Sequence, residues 1–270
     1  MALLPPYFLN TVIAIGVGDD PEKRRWIGTG FIVGKADNPE EDPKNRKYAT
    51  WLITNKHVLR EQKKIYIKFN SLNGSESQDY PVELFNDSGG AIWSGHATDS
   101  IDVAAIRLNP LVLQNAGSVL NFFHLEAHSL SKMQMKNNHL SEGDRVYALG
   151  FPMGLVTKER QYVICRGGYI ARIRDYLEDR TTDFLIDAFV FPGNSGGPVI
   201  TCPTSTAIKG TPQNDKASLI GIVKAYIPYK DVAISSQTGL PRVIFEENTG
   251  LAAVESVDSI LETIEKAEDK

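Results

Sequence analysis

Short apolar runs, separated by polar and turn-rich segments, mark the first half of the chain. TVIAIGV (11–17), GTGFIVG (28–34), YATWLIT (48–54), KIYIKF (64–69), PVELF (81–85) and VAAIRL (103–108) are rich in β-branched and aromatic residues. KADNPEEDPKNRK, NSLNGSESQ and NDSGG divide them with the Gly, Pro, Asn, Asp and Ser that turns use. This rhythm predicts an antiparallel barrel or sandwich. Residues 114–144 break it and predict a loop-like, partly helical connector. Strands are then expected at RVYALGF (145–151), RQYVICRGGYIARI (160–173), DFLIDAFV (183–190), GPVITC (197–202), SLIGIVKAYI (218–227) and PRVIFE (241–246). Near the end, Val254, Val257, Ile260, Leu261 and Ile264 fall on one face of an amphipathic closing helix.

With 270 residues the chain makes one large domain or two tightly packed halves. A net charge of −4 without long basic runs gives no reason to expect a nucleic-acid partner. The short KRR at 23–25 reads as a solvated loop. Two cysteines, Cys165 and Cys202, are too few for a disulfide framework, and reduced thiols are expected. The N-terminus lacks a basic leader and carries Pro5-Pro6, and no apolar run reaches 18 residues. A cytoplasmic protein without a membrane partner is the expectation.

FPGNSGGPVI (191–200) sets one serine, Ser195, among turn formers and glycines before an apolar strand. Taken alone it is a tight turn. A serine nucleophile would need a base, and the base an orienting group. His57 in WLITNKHVL follows an apolar strand, and Asp102 in DSIDVAAIRL precedes another, with Asp99 as its neighbouring competitor. Each by itself reads as an ordinary strand-end residue. His96, His124, His128 and His139 lie in loop-like or connector sequence. The i, i+4 pair His124 and His128 has no carboxylate-rich motif beside it to suggest zinc.

GTGFIV, LITNKHV, DVAAIRL, GNSGGPV and GIV (221–223), in this order, resemble the chymotrypsin-fold, or trypsin-like, serine peptidases over about residues 10–265. ALGFPMGL, GGYIARI, IDAFVFPGNSGGPVI and NTGLAAVESVDSILETI are most similar to bacterial HtrA/Deg-type catalytic domains. The chain stops after these motifs, so no PDZ module is expected. The resemblance implies an all-β fold of two six-stranded antiparallel β-barrels with a C-terminal α-helix. The halves are then 8–113 and 145–250, joined by the connector 114–144 and closed by a helix at 253–268. It also implies a serine endopeptidase acting on protein or peptide substrates through an acyl-enzyme, with no cofactor or metal.

Carried onto this chain, Ser195 is the nucleophile, His57 the base and Asp102 its orienter. The N–H groups of Gly193 and Ser195 form the oxyanion hole. Phe189, Phe191, Pro192, Ala225 and Tyr226 line the substrate pocket, without a carboxylate to pair a basic side chain, and Asp187 is the nearest in sequence. Asn194 stands where secreted members carry Asp, so no proteolytic maturation is expected. Lys224 departs from the small hydroxyl residue usual there. It either points outward or disturbs Asp102, and Tyr226 narrows the groove. The alternative from another class is a catalytically silent pseudoprotease that binds peptides as a regulatory or scaffolding module, and a serine esterase would use the same chemistry.

Overall fold

The computed structural model describes residues 4–42, 44–204 and 214–269. In its first half lie β1 (Val12–Val17), β2 (Arg25–Ala36), β3 (Tyr48–Thr54), β4 (Lys64–Phe69), β5 (Gln78–Glu83), β6 (Trp93–Gly95), β7 (Ala104–Arg107) and β8 (Phe123–His124). They form one curled sheet in the order β5-β4-β1-β2-β3-β7-β6, with β8 parallel to β2. The second half contains β9 (Arg145–Gly150), β10 (Ile164–Arg172), β11 (Asp183–Asp187), β12 (Pro198–Thr201), β13 (Leu219–Ile234) and β14 (Pro241–Ser256). These close into a six-stranded barrel, β10-β11-β14-β13-β12-β9.

The all-β class, the two halves and the closing helix follow the sequence pattern. The first half curls into a half-barrel. Its two edges meet only just beyond β5 and before β6, at an isolated antiparallel bridge between Phe85 and Ala91 where the Ile92 N–H donates to the Leu84 carbonyl at 3.0 Å. Neither β6 nor β8 was anticipated. The 114–144 segment is built from short helical turns, such as Leu125–His128 and Lys132–Asn137. Two strands are much longer than their apolar runs: β13 and β14 leave the barrel as an exposed two-stranded ribbon, paired from Pro228↔Asn248 to Ile234↔Pro241. No helix among the described residues is long and apolar enough to cross a membrane.

The run VIAI in β1 is apolar at every position because both faces of the strand are covered. Ile13 and Ile15 join Ile32, Leu52 and Ile67 in the core of the first half. Val12 and Ala14 face a second cluster with Phe31, Leu149, Phe151, Ile200 and Ile222, which welds the two halves together. Val146, Ile186, Val199, Ile220 and Val254 fill the closed barrel. The C-terminal helix, Val257–Glu268, starts where the Ser256 side chain accepts from the Ser259 N–H, a cap worth about 1 kcal/mol. It buries Val257, Ile260 and Ile264 in the inter-half cluster, each contributing roughly 1.5–3 kcal/mol. Lys266 Nζ donates to the Gly95 carbonyl at 2.9 Å, and Glu262 pairs with His96 at 2.7 Å. The last helix is thereby fastened to β6 and holds the halves in register, with the sequence-identified residues at their junction.

Candidate active site

His57 sits in a one-turn helix, Lys56–Leu59, entered directly from β3, and Asp102 lies just before β7. Because β3 and β7 are neighbours, the two side chains meet at one sheet end. Asp102 Oδ2 contacts His57 Nδ1 at 2.5 Å, and Asp102 Oδ1 accepts the His57 backbone N–H at 3.1 Å. A carboxylate can only accept, so Nδ1 carries a proton toward Asp102, and whenever the ring holds no second proton Nε2 keeps a free lone pair. Burial works against the Asp102 charge, but the hydrogen bond and charge of His57 outweigh it and hold the carboxyl below its ordinary range. Asp99, the competitor, offers its backbone carbonyl to Lys56 Nζ at 3.0 Å instead.

The segment holding Ser195 is tied down from both halves. Thr29 N–H donates to the Ser195 carbonyl at 2.9 Å, and Thr29 Oγ1 donates to the Gly193 carbonyl at 2.6 Å. Asn194, fully buried, accepts the Phe191 N–H through its side chain. Gly196 has φ +86°, and a Cβ there would lie 2.0 Å from the Thr29 carbonyl oxygen. Gly193 has φ +99°, and its Cβ would lie 2.4 Å from the Phe151 carbonyl oxygen. Both close approaches demand glycine.

Between Gly193 and Gly197, the N–H groups of Asn194, Gly196 and Gly197 donate to Phe191, Val223 and Asn194 carbonyls. Gly193 and Ser195 donate to no described residue. The Met153 N–H grips the Pro192 carbonyl at 2.6 Å. In a trans peptide C=O and N–H point oppositely, so this contact turns the Gly193 N–H away from Met153. The Ser195 hydroxyl does not point at the base: its Oγ donates to the Lys224 carbonyl at 3.3 Å, and no hydrogen bond joins it to His57.

The remaining predicted residues separate. Phe189 and Ala225 are exposed, Phe191 and Tyr226 half-buried, and Pro192 exposed. The Arg166 guanidinium lies 5.1 Å from the Phe191 ring centre. Tyr226 OH bonds Glu246 Oε1 at 2.5 Å, at the base of the ribbon. His96 is taken by Glu262, and His124 and His128 sit with Tyr7, Tyr48 and Phe122 in an aromatic cluster. Among the described residues, no group of His, Cys, Asp and Glu is arranged to hold a metal. Cys165 and Cys202 are both free thiols.

Sequence reasoning missed Glu255. This glutamate lies one residue before the end of β14, is fully buried, and accepts the Asp102 N–H at 3.0 Å through Oε1. Lys224 Nζ pairs with the same oxygen at 2.8 Å and also donates to the Ser100 carbonyl at 3.0 Å. Lys224 is therefore neither turned outward nor bonded to Asp102. Burial works to lower its pKa, but the hydrogen bond and charge of Glu255, helped by Asp183 and Asp102, leave it raised. Thr29 and Asn55 were also missed; the Asn55 amide donates to the Asp102 carbonyl at 2.6 Å. A lone acid inside the apolar run LAAVES was the available signal for Glu255.

The family model of the trypsin-like peptidase domain matches residues 28–206, which contain His57, Asp102 and Ser195. The chain belongs to the trypsin-like peptidase domain family. It is similar to a probable periplasmic serine endoprotease DegP-like protein of Chlamydia pneumoniae, 24% identical over 188 residues, 67% of this chain. The match spans 28% of that relative's length. That relative is periplasmic by name, which overturns the cytoplasmic expectation. Among solved structures, the MamO protease domain of Magnetospirillum magneticum aligns with a TM-score of 0.49 and 14% identity, over 95% of this chain and 96% of that one. An HtrA-type protease with a tripeptide aligns at 0.47 and 17%, over 95% of this chain and 60% of that one.

Proposed function

We propose that this trypsin-like domain hydrolyses peptide bonds through Ser195, His57 and Asp102, by way of an acyl-enzyme. The observation that carries the reading is the Asp102–His57 pair together with the two unbonded N–H groups of Gly193 and Ser195. Ser195 Oγ attacks the scissile carbonyl carbon as its proton passes to His57 Nε2. The tetrahedral oxyanion is received by the Gly193 and Ser195 N–H groups, worth about 3–4 kcal/mol for a donor in comparable sites. His57 then gives the proton to the leaving amine, and the acyl-enzyme is hydrolysed by water activated at the same imidazole. Asp102 holds the ring and stabilises its charged form.

The resting hydroxyl must leave the Lys224 carbonyl and rotate about its Cα–Cβ bond. Such rotations take picoseconds to nanoseconds on accessible side chains, and catalytic hydrogen bonds commonly tighten only when substrate arrives.

None of the proposed lining residues is a carboxylate, and the Arg166 guanidinium lies 5.1 Å from the Phe191 ring centre, while Asp187 and Phe189 both border Gly250. Burying a substrate Lys or Arg there without a partner would cost several kcal/mol, on the order of 3 or more. Cleavage after Ala, Val, Leu or Met follows from this lining.

A fluorophosphonate probe tests the chemistry. Wild-type protein labels covalently, while Ser195→Ala does not label and loses turnover by about 10³-fold or more. Equal labelling of both proteins overturns the reading and returns the chain to the peptide-binding alternative.

A further inference from the structure

We propose that Lys56 is a positioning residue: its buried ammonium pins the loop that delivers Asp102 and so sets how that carboxylate meets His57. The role rests on the peptidase reading and deepens it. The ladder that brings the two residues together ends too early to fix them. β3 and β7 pair only as far as Thr54↔Ala104, short of both His57 and Asp102. Beyond that point the chains part: β3 runs into the one-turn helix Lys56–Leu59, and Asp102 lies in the loop between β6 and β7. A link other than the ladder must therefore hold helix and loop together.

Lys56 supplies that link from the position next to His57. Its Nζ donates to the Thr98 carbonyl at 3.2 Å and to the Asp99 carbonyl at 3.0 Å. Both oxygens belong to a tight turn, closed by the Ile101 N–H on the Thr98 carbonyl at 3.2 Å, and the turn leads straight into Asp102. The lysine stem crosses Gly95, where a Cβ would lie 2.8 Å from Lys56 Cδ and 3.2 Å from Cγ. Lys56 is only 5% exposed, whereas its neighbour His57 is open to solvent.

Two other lysines grip the same loop, and the comparison isolates Lys56. Lys266 Nζ holds the Gly95 carbonyl at 2.9 Å, where the loop begins, and Lys224 Nζ holds the Ser100 carbonyl at 3.0 Å. Lys224 has Glu255 as its ion-pair partner, and Lys266 is only half-buried. Lys56 is buried and, among the described residues, its ammonium bonds carbonyl oxygens alone. Burial pulls its pKa down, and the charges of Asp102 and Asp99 do not cancel that effect. An ammonium taken out of water without an ion-pair partner lowers stability, so an apolar side chain of similar length would suit packing better. What the apolar side chain lacks is three donors on one atom, which let Lys56 span two carbonyls of the turn. Placement of this kind matters to rate, since a shift of about 1 Å in a catalytic arrangement can cost on the order of 10²-fold.

The test compares Lys56→Met with Lys266→Met, which removes a like bond at the end of the loop away from Asp102. Kinetics are read on a fluorogenic peptide carrying a cleavage site mapped by mass spectrometry in casein. In Lys56→Met, kcat should fall about tenfold or more while KM stays within about twofold. Its melting temperature should stay level or rise, because a buried, unpaired charge has gone. The downfield proton signal of His57 Nδ1–H, assigned by its absence from His57→Ala, should shift or broaden in Lys56→Met. Lys266→Met should lower the melting temperature, keep that signal and hold kcat within about twofold of wild type. If Lys56→Met does not fold, Gly95→Ala, whose methyl pushes the lysine stem aside, should give the same loss of kcat and the same altered signal. A kcat within about twofold of wild type in the variant tested overturns the proposal. A loss of kcat with an unchanged Nδ1–H signal also overturns it, and leaves Lys56 a structural lysine. Fluorophosphonate labelling run in parallel separates the two readings. Wild-type protein that does not label sinks the peptidase reading, whereas labelled wild type with unchanged Lys56→Met kinetics sinks only the role of Lys56.

Discussion

Lys224 and Glu255 form an ion pair, Nζ to Oε1 at 2.8 Å, directly behind Asp102. The carboxylate is fully buried, its second oxygen has no partner, and its first oxygen also receives the Asp102 N–H. The lysine's own carbonyl holds the Ser195 hydroxyl. One pair therefore touches two residues proposed for the triad, Asp102 through its backbone N–H and Ser195 through its hydroxyl.

Removing one partner should cost more than removing both. Lys224→Met leaves a buried, unpaired carboxylate and should destabilise the fold by about 3 kcal/mol. Lys224→Met with Glu255→Leu should recover most of that loss in urea titrations, because no charge remains uncompensated. Turnover should stay at least tenfold low in the double variant, since the Asp102 N–H has lost its acceptor. Full recovery of turnover with stability would show the pair to be structural only.

Gly196→Ala should be severe. A Cβ 2.0 Å from the Thr29 carbonyl and 2.4 Å from Thr54 Oγ1 forces backbone to move, in a chain region with φ +86°. A loss of about 3 kcal/mol or more is expected, with loss of probe labelling. Gly74→Ala has a similar φ of +75° but nothing within 4 Å, and should cost only about 1 kcal/mol. Equal melting temperatures for the two variants would contradict the close approach.

No cut near Arg25 should be needed for reactivity. β2 begins at Arg25 and pairs there with Val17, so cleavage would damage the sheet that carries Thr29. Intact protein should label with fluorophosphonate, as judged by the mass of the adduct. Labelling confined to a form cleaved at that point would contradict this.

His128 should make the fold sensitive to mild acid. Its Nδ1 accepts the His124 N–H at 3.0 Å, and Nε2 faces Tyr7 OH at 2.9 Å. Burial, with His124 beside it, pushes the imidazole down from 6.5 to about 4. Between those values the unfolded chain binds a proton that the folded chain refuses, so stability falls as pH drops through this window. After allowance for partial exposure the loss is about 2 kcal/mol. Urea midpoints measured from pH 7 to pH 4 should fall less in His128→Gln than in wild type; parallel curves would count against it.

Local physics made much of the molecule legible in its residues. Apolar runs of strand length placed most of the β elements, because a strand needs only a few consecutive side chains to cover a sheet face. The spacing of Val257, Ile260 and Ile264 announced the helix, and the turn chemistry of 191–197 announced a strained, glycine-dependent segment. Tertiary packing decided what depends on distant chain. Glu255 lies 153 residues from the Asp102 N–H it serves, and Thr29 lies 164 from the Gly193 carbonyl, separations that no local pattern encodes. Pro228, Lys230 and Asp231 fall outside the expected strands 218–227 and 241–246, yet pairing with β14 draws them into one, since a neighbouring ladder overrides weak β propensity. The direction of the Ser195 hydroxyl belongs to the same class: the residue was chosen by its turn, but its resting partner was set by where β13 places the Lys224 carbonyl.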